Sequence, residues 1–280
     1  MNNLDLEKMI AFGVAGNFTG HLEQAGEIKD FLKVEAKKNA PKAIFPVFVP
    51  NSEDYLGIYP FSNKEIKFPE LGDFAKFNLQ IEPELAIIAE LVYNDNKEVI
   101  NIIPKFFTAY NDCSIRKEGA RKIAEKKNWG FNSKGISSQI LSLDSFDETS
   151  TIKNYRIASF LLRDKQIYEY GIDSRVADYS YFYQELLTWI VEKINTQQDQ
   201  DPISQITPLI KKANYPQNAI ISVGATRYTE FGEKNFLQPK DISLVIIYDE
   251  TKYNHQNILG MIAKNEFAQE NISVLKQEII

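Results

Sequence analysis

Glu82-Pro83-Glu84-Leu85-Ala86-Ile87-Ile88-Ala89-Glu90-Leu91-Val92 is the stretch on which the fold turns. Leu85 to Val92 is a short apolar run with β-branched members, long enough for a buried strand and short for a helix. In a strand, residues i and i+2 project to one face, so Glu82 and Glu84 would point into the same pocket. Two carboxylates that close repel each other, and a divalent cation between them keeps both ionised. The same spacing also describes a solvated pair of acids on a strand rim. Pro83 offers no ladder donor, which predicts an edge position or one beside an opening.

Working outward, Glu98 to Ile103, Tyr155 to Leu162, Ile220 to Val223 and Ile242 to Tyr248 read as further strands. Pro50, Pro60, Pro69, Gly57 and Gly72 cut residues 45–75 into turns and short strands. Helical spacing is predicted at Glu27 to Lys38, at Tyr179 to Asn195 and at Gln256 to Gln269. The polar run Thr196 to Asp201, followed by Pro202 and Pro208, reads as a surface excursion. Strands outnumber helices without the regular alternation of a doubly wound sheet, so the expected class is α+β, mainly β.

Composition closes off several functions. A chain of 280 residues predicts one core domain, with at most a small appendage, and 44% hydrophobic residues exclude global disorder. The net charge of −6 leaves no basic footprint for a nucleic-acid partner. No signal peptide stands at the start, and every apolar run is broken by charge too early for a membrane span, so a soluble cytoplasmic protein is expected. The single cysteine, Cys113, makes no internal disulfide, and with His21 and His255 it cannot build a zinc finger. A bound metal would therefore sit among carboxylates, as Mg²⁺, Mn²⁺ or Ca²⁺ do. There is no GxGxxG after a strand and no G-x-S-x-G elbow, and Gly130 to Lys134 lacks the order of a phosphate loop.

Three further residues stand where chemistry could use them. Asp112 follows the Phe106-Phe107 stretch and could add a third ligand, or cap a turn. Lys134, among Trp129, Gly130, Phe131 and Gly135, could hold an anion, or snorkel at the surface. His21, in a glycine-spaced loop, could be a general base, or simply structural.

Taken in order, these segments resemble the motifs of the fumarylacetoacetate hydrolase superfamily. Asn17-Phe-Thr-Gly-His21 is similar to its opening Asn-Tyr-x-x-His, and Glu82-Pro-Glu-Leu-Ala86 to its Glu-x-Glu-Leu-Ala. Asn111-Asp-Cys-Ser-Ile-Arg116 resembles Asn-Asp-x-Ser-x-Arg, and Trp129 to Lys134 the downstream tryptophan–lysine element. The glycine turn at Gly224 and Phe236-Leu-Gln-Pro-Lys-Asp241 resemble the last motif. The resemblance spans about residues 12 to 248.

The resemblance implies a mixed β-sandwich roll with peripheral helices. It implies Mg²⁺ or Mn²⁺ held by Glu82, Glu84 and Asp112, with His21 and Lys134 catalytic and Arg116, Lys134 and Thr226 binding substrate. His21 would ride on a loop or short helix closing over the site. The substrate would be a small 2-oxo or 1,3-diketo acid, attacked by C–C hydrolysis or decarboxylation through a stabilised enolate, in a homodimer. Three departures weigh against full hydrolytic chemistry. Gln24 replaces the family's glutamate three residues after the histidine, Arg116-Lys-Glu-Gly119 replaces Arg-Asp-x-Gln, and Gly224-Ala-Thr226 replaces Gly-Thr-Pro. An amide cannot balance an imidazolium as a carboxylate does. Residues 1–75 are expected as an N-terminal section carrying His21, 76–250 as the metal-bearing β core, and 251–280 as a C-terminal helix and tail. Two functions of different class remain open: a metal-dependent hydrolase or lyase, and a divergent member that binds metal or an oxo acid without turnover.

Overall fold

The computed structural model describes residues 4–280, apart from 32, 33, 35, 38, 70–77 and 117–119. In the first half of the chain the strands are β1 (Ile10–Ala15), β2 (Ala43–Phe48), β3 (Phe61–Ser62), β4 (Glu65–Ile66), β5 (Leu79–Gln80), β6 (Pro83–Tyr93), β7 (Val99–Asn111), β8 (Ser114–Ile115), β9 (Lys134–Ile136) and β10 (Leu141–Ser142). The second half adds β11 (Tyr155–Arg163), β12 (Gln166–Arg175), β13 (Asn218–Ser222), β14 (Ile242–Asp249) and β15 (Ile272–Ile279). Five α-helices accompany them among the described residues: α1 (His21–Gln24), α2 (Tyr183–Thr196), α3 (Thr207–Lys212), α4 (Glu230–Lys234) and α5 (His255–Lys264). One sheet runs in the order β2-β1-β13-β6-β7-β9-β3 with β10 on β7, a second runs β12-β11-β14-β15-β4, and β5 pairs with β8 in a small third. The fold is the expected mainly-β α+β roll. Among the described residues no helix is long and apolar enough to cross a membrane.

Alternation along β6 explains its apolar composition. Leu85, Ile87, Ala89 and Leu91 enter the core between the two sheets, which α2 also covers. Ala86 and Ile88 enter a separate cluster with Phe45, Phe48, Phe61, Tyr110 and Ile136 on the opposite face. A strand apolar on both faces is buried on both faces, and β6 pairs on both edges, with β13 and β7. The same alternation in β14 sends Val245 and Ile247 inward, and Leu244, Ile246 and Tyr248 outward to Ile258 and Ile262 of α5. Pro83 therefore sits in a central strand rather than at an edge. It is tolerated because it is the first residue of β6, where a missing donor costs no ladder bond.

Several elements differ from the sequence reading. The helix expected over 27–38 is a 3₁₀ turn at Ile28–Phe31, and residues 32, 33, 35 and 38 lie outside the described set. The C-terminal helix stops at Lys264 because Asn265 turns left-handed, with φ of 53°. The expected tail beyond it is instead a strand: β15 lies between β14 and β4. The strand expected at 98–103 runs on to Asn111, with a register shift that skips Lys105 and accommodates Pro104. The first and last sections interleave with the middle one, since β1 pairs in parallel with β13 and β15 closes against β14.

Candidate metal and proton-transfer site

The β6–β7 register builds the floor of the site. Glu84 stands opposite Tyr110, and the Asp112 N–H donates to the Glu82 carbonyl at 2.9 Å, so Glu82 faces Asp112 across the ladder. Glu82, Glu84, Ala86 and Ile88 share a face, and so do Tyr110 and Asp112, because side chains repeat every second residue. All three carboxylates thus emerge on the face of the Phe45 cluster. Each is buried, and one oxygen from each lies within 4.8 Å of the other two.

Backbone and amide groups fix them further. The Gly224 N–H donates to Glu84 Oε2 at 2.9 Å. Gly224 has φ of +116°, and a Cβ there would stand 3.1 Å from Asn17 Cβ and 3.3 Å from the Val14 carbonyl, so glycine is required. Asn111 accepts from the Glu82 N–H at 3.1 Å while its amide nitrogen reaches Gln277 Oε1 at 3.1 Å.

Cations reach the same acids. Lys127 Nζ lies 2.5 Å from Glu82 Oε2, 2.6 Å from Asp112 Oδ2 and 2.6 Å from Ser114 Oγ. Arg116 spends its fork on protein partners. Nε meets Gln80 Oε1 at 2.6 Å, one terminal nitrogen meets Glu27 Oε1 at 2.8 Å, and the other meets Tyr228 Oη at 2.9 Å and Glu82 Oε1 at 2.7 Å. Lys134 is wholly buried behind Asp112, with Nζ 3.4 Å from Oδ1, a bond to the Cys113 carbonyl, and Trp129 5.0 Å away.

These charges set protonation. Burial raises Glu82, but Lys127 and Arg116 outweigh it and hold the carboxyl well below its ordinary range. Burial, then Asp112 and Glu82, push Glu84 far up, so it is the acid that keeps a proton. Burial also raises Asp112 against the pull of Lys127 and Lys134. Lys127 stays an ammonium because Asp112, Glu82 and Glu27 overcome its desolvation.

His21 opens α1, the one-turn helix that follows Gly20 at φ of +88°. Its Nδ1 lies 2.9 Å from the Thr226 carbonyl, which can only accept, so Nδ1 carries the proton and Nε2 is a free acceptor. Burial lowers its pKa against the pull of Glu82, and the ring is neutral near pH 7. Gln24 does not act as a dyad partner. Its side chain clasps the Tyr228 backbone, accepting from the N–H at 2.9 Å and donating to the carbonyl at 3.1 Å.

His21, Glu82, Glu84 and Asp112 line one cavity of about 20 Å³ together with Glu27, Lys127, Leu22, Phe31 and Phe45. Arg116, Lys134 and Thr226 are not among its lining residues, although Thr226 Oγ1 is a buried hydroxyl with no hydrogen-bond partner among the described residues. Glu27 and Lys127 are the site residues the sequence reading missed. Lys127 stands in a lysine-rich run that reads as solvated surface, and Glu27 has no helical spacing to His21.

The chain shares its fold with fumarylacetoacetate hydrolase family proteins. It is similar to yeast ynq8, a fumarylacetoacetate hydrolase family protein, with TM-score 0.53 and 15% identity over 98% of this chain and 94% of that one. It is also similar to Cg1458 (TM-score 0.53, 15% identity, 97% of this chain and 75% of that one). A third relative is 2-keto-3-deoxy-D-arabinonate dehydratase complexed with magnesium and 2,5-dioxopentanoate (TM-score 0.50, 14% identity, 96% of this chain and 72% of that one). By sequence the chain belongs to DUF5718, described as a family of unknown function, which matches residues 27–279. No curated protein matches it in sequence.

Proposed function

We infer that the protein is a Mg²⁺- or Mn²⁺-dependent enzyme acting on a small 2-oxo or 1,3-diketo acid, by C–C hydrolysis or decarboxylation. The observation that carries this reading is the buried triad. Glu82 Oε1 and both Asp112 oxygens have cations beside them but no well-formed hydrogen bond, and three carboxylates converge within 4.8 Å. Oxygen-only donors with negative charge suit a hard divalent ion, so the residues fit. Glu82, Glu84 and Asp112 would hold it, and when bound it would supply Lewis acidity toward the oxygens of a chelating substrate.

The chain's own groups do the rest. Neutral His21, with Nε2 unengaged and Nδ1 fixed by Thr226, takes up or returns a proton at the reacting carbon or water. Lys134 acts through Asp112, orienting the carboxylate from behind. The cavity holds about one water, so an oxo acid enters only when residues 16–27 swing out. Gly16, Gly20 and Gly26 all have positive φ and supply pivots for that motion. The magnesium and dioxo acid of the dehydratase relative support the substrate class. We include a homodimer in this reading.

One observation favours binding without turnover: with Gln24 clasped to Tyr228, no carboxylate among the described residues is hydrogen-bonded to His21. The test is a panel of oxaloacetate, acylpyruvates and fumarylpyruvate with metal-stripped protein, with Mg²⁺ or Mn²⁺ added back and with EDTA. Metal-dependent turnover supports the enzyme. Metal or oxalate binding without turnover of any substrate leaves the binding protein, no metal binding refutes the metal-dependent enzyme, and binding of neither metal nor oxalate refutes both.

A further inference from the structure

The ammonium of Lys127 does what a metal does in an acid triad: it bridges Glu82 and Asp112, at 2.5 and 2.6 Å, inside the cavity those acids line. It is no passing surface lysine. Its side chain is 4% exposed, Ser114 Oγ takes a third bond at 2.6 Å, and the Phe45 ring stands 5.4 Å away. The acids are also neutralised without an ion. Glu84 keeps its proton, and Glu27, Glu82 and Asp112 face four cations, namely Lys127, Arg116, Lys134 and, 3.6 Å from Glu27, Lys126. A divalent ion entering with Lys127 in place would leave the buried site with excess positive charge, which a low-dielectric interior does not tolerate. The cavity, at about 20 Å³, also lacks room for both an ion with its waters and the ammonium.

The geometry points to Lys127 as a built-in cation that occupies the metal seat, so that a divalent ion and the lysine ammonium exclude each other. This rests on the triad being a metal site. Lys127 keeps the three carboxylates assembled when no ion is bound, and it sets the metal concentration at which the site loads, because each ion must first break two buried ion pairs. No bond is made or broken in the exchange: the ammonium leaves with its proton as the ion arrives.

The test compares full-length, metal-stripped wild type with Lys127→Met and Lys127→Gln, titrated with Mn²⁺ by calorimetry and by the spin-resonance signal of free Mn²⁺. Both variants should bind Mn²⁺ at least about 10-fold more tightly, since the ion no longer competes with an internal cation. Equal or weaker binding in folded variants overturns the exchange while leaving the metal reading intact. Absence of Mn²⁺ binding in wild type and variants alike removes the metal reading, and this proposal with it. Should the variants fail to fold, wild-type crystals soaked in Mn²⁺ decide. Anomalous density on the triad with Lys127 withdrawn from Glu82 and Asp112 supports the exchange. Density on the triad with Lys127 still bridging them overturns it.

Discussion

Replacing Arg116 with methionine separates a structural tether from a substrate contact. Its guanidinium, 10% exposed, joins Glu27 on the lid segment to Glu82 on the floor. Removing one partner of a buried ion pair costs about 3–5 kcal/mol, because the other charge is left unpaired. Here both acids keep a second cation, Glu27 with Lys126 at 3.6 Å and Glu82 with Lys127 at 2.5 Å, so the low end, about 3 kcal/mol, applies. With an unfolding entropy of about 2.1 cal/mol/K per residue, that corresponds to a fall in Tm of about 5 °C for this chain. Calorimetry at pH 7 in EDTA measures it. The sign with pH comes from Glu27, whose pKa is lowered by Arg116 and Lys127 against burial. Its ion-pair stabilisation is present above the unfolded value and lost as pH falls through the folded one, so the penalty shrinks in acid. A double-mutant cycle with Glu27→Gln should return a coupling of about 1–3 kcal/mol. A Tm unchanged within about 1 °C, together with a raised KM for an oxo acid, would refute the tether and restore the substrate contact expected from the sequence.

His21→Asn should lower turnover by about 10²–10⁴ while leaving oxalate affinity nearly intact. Because burial lowers the His21 pKa, wild-type turnover should hold below pH 6.5 and fall only as the ring protonates; an acid limb above pH 6.5 would exclude His21 as the base. Glu84→Gln should weaken Mn²⁺ binding at least about 10-fold yet raise the Tm of the metal-free protein at neutral pH. The raised Glu84 pKa means its favourable contribution is present below the unfolded value and lost as pH rises, so the gain should vanish near pH 4; an equal gain at both pH values contradicts this. Gln24→Glu, which the motif comparison alone would favour as an activating change, should instead cost about 1–3 kcal/mol at pH 7 by setting a carboxylate against the Tyr228 carbonyl. Urea denaturation showing no loss, with hydrolysis of acylpyruvates increased, would restore the dyad reading.

The floor of the site was legible because β6 writes its geometry locally. Two acids at i and i+2 must share a face, and an apolar run on both parities must lie between two layers. Asp112 was legible only through the motif, since its place opposite Glu82 depends on the pairing of β6 with β7, which periodicity does not state. Lys127 and Glu27 were not legible. Nothing in Ile123-Ala-Glu-Lys-Lys127 marks which lysine turns inward, and the left-handed Gly26 brings Glu27 to Arg116 by a route no helical spacing describes. The strands at Gln166–Arg175 and Ile272–Ile279 escaped notice because charged residues on their outer face dilute the apolar signal, although the alternation is there.

Strand β15 carries an implication for the order of events during synthesis. Gln277 accepts from the Asn111 amide, and Asn111 in turn holds the Glu82 backbone. While the ribosome is still making residues 272–279, β14 has an open edge and the Asn111 amide keeps only its longer bond to Ser243 Oγ at 3.3 Å, however long β6 and β7 have been available. The carboxylate floor is thus completed by a segment made well after β6 and β7, and a chain stalled before it emerges carries every acid of the triad without the Gln277 contact that braces Asn111.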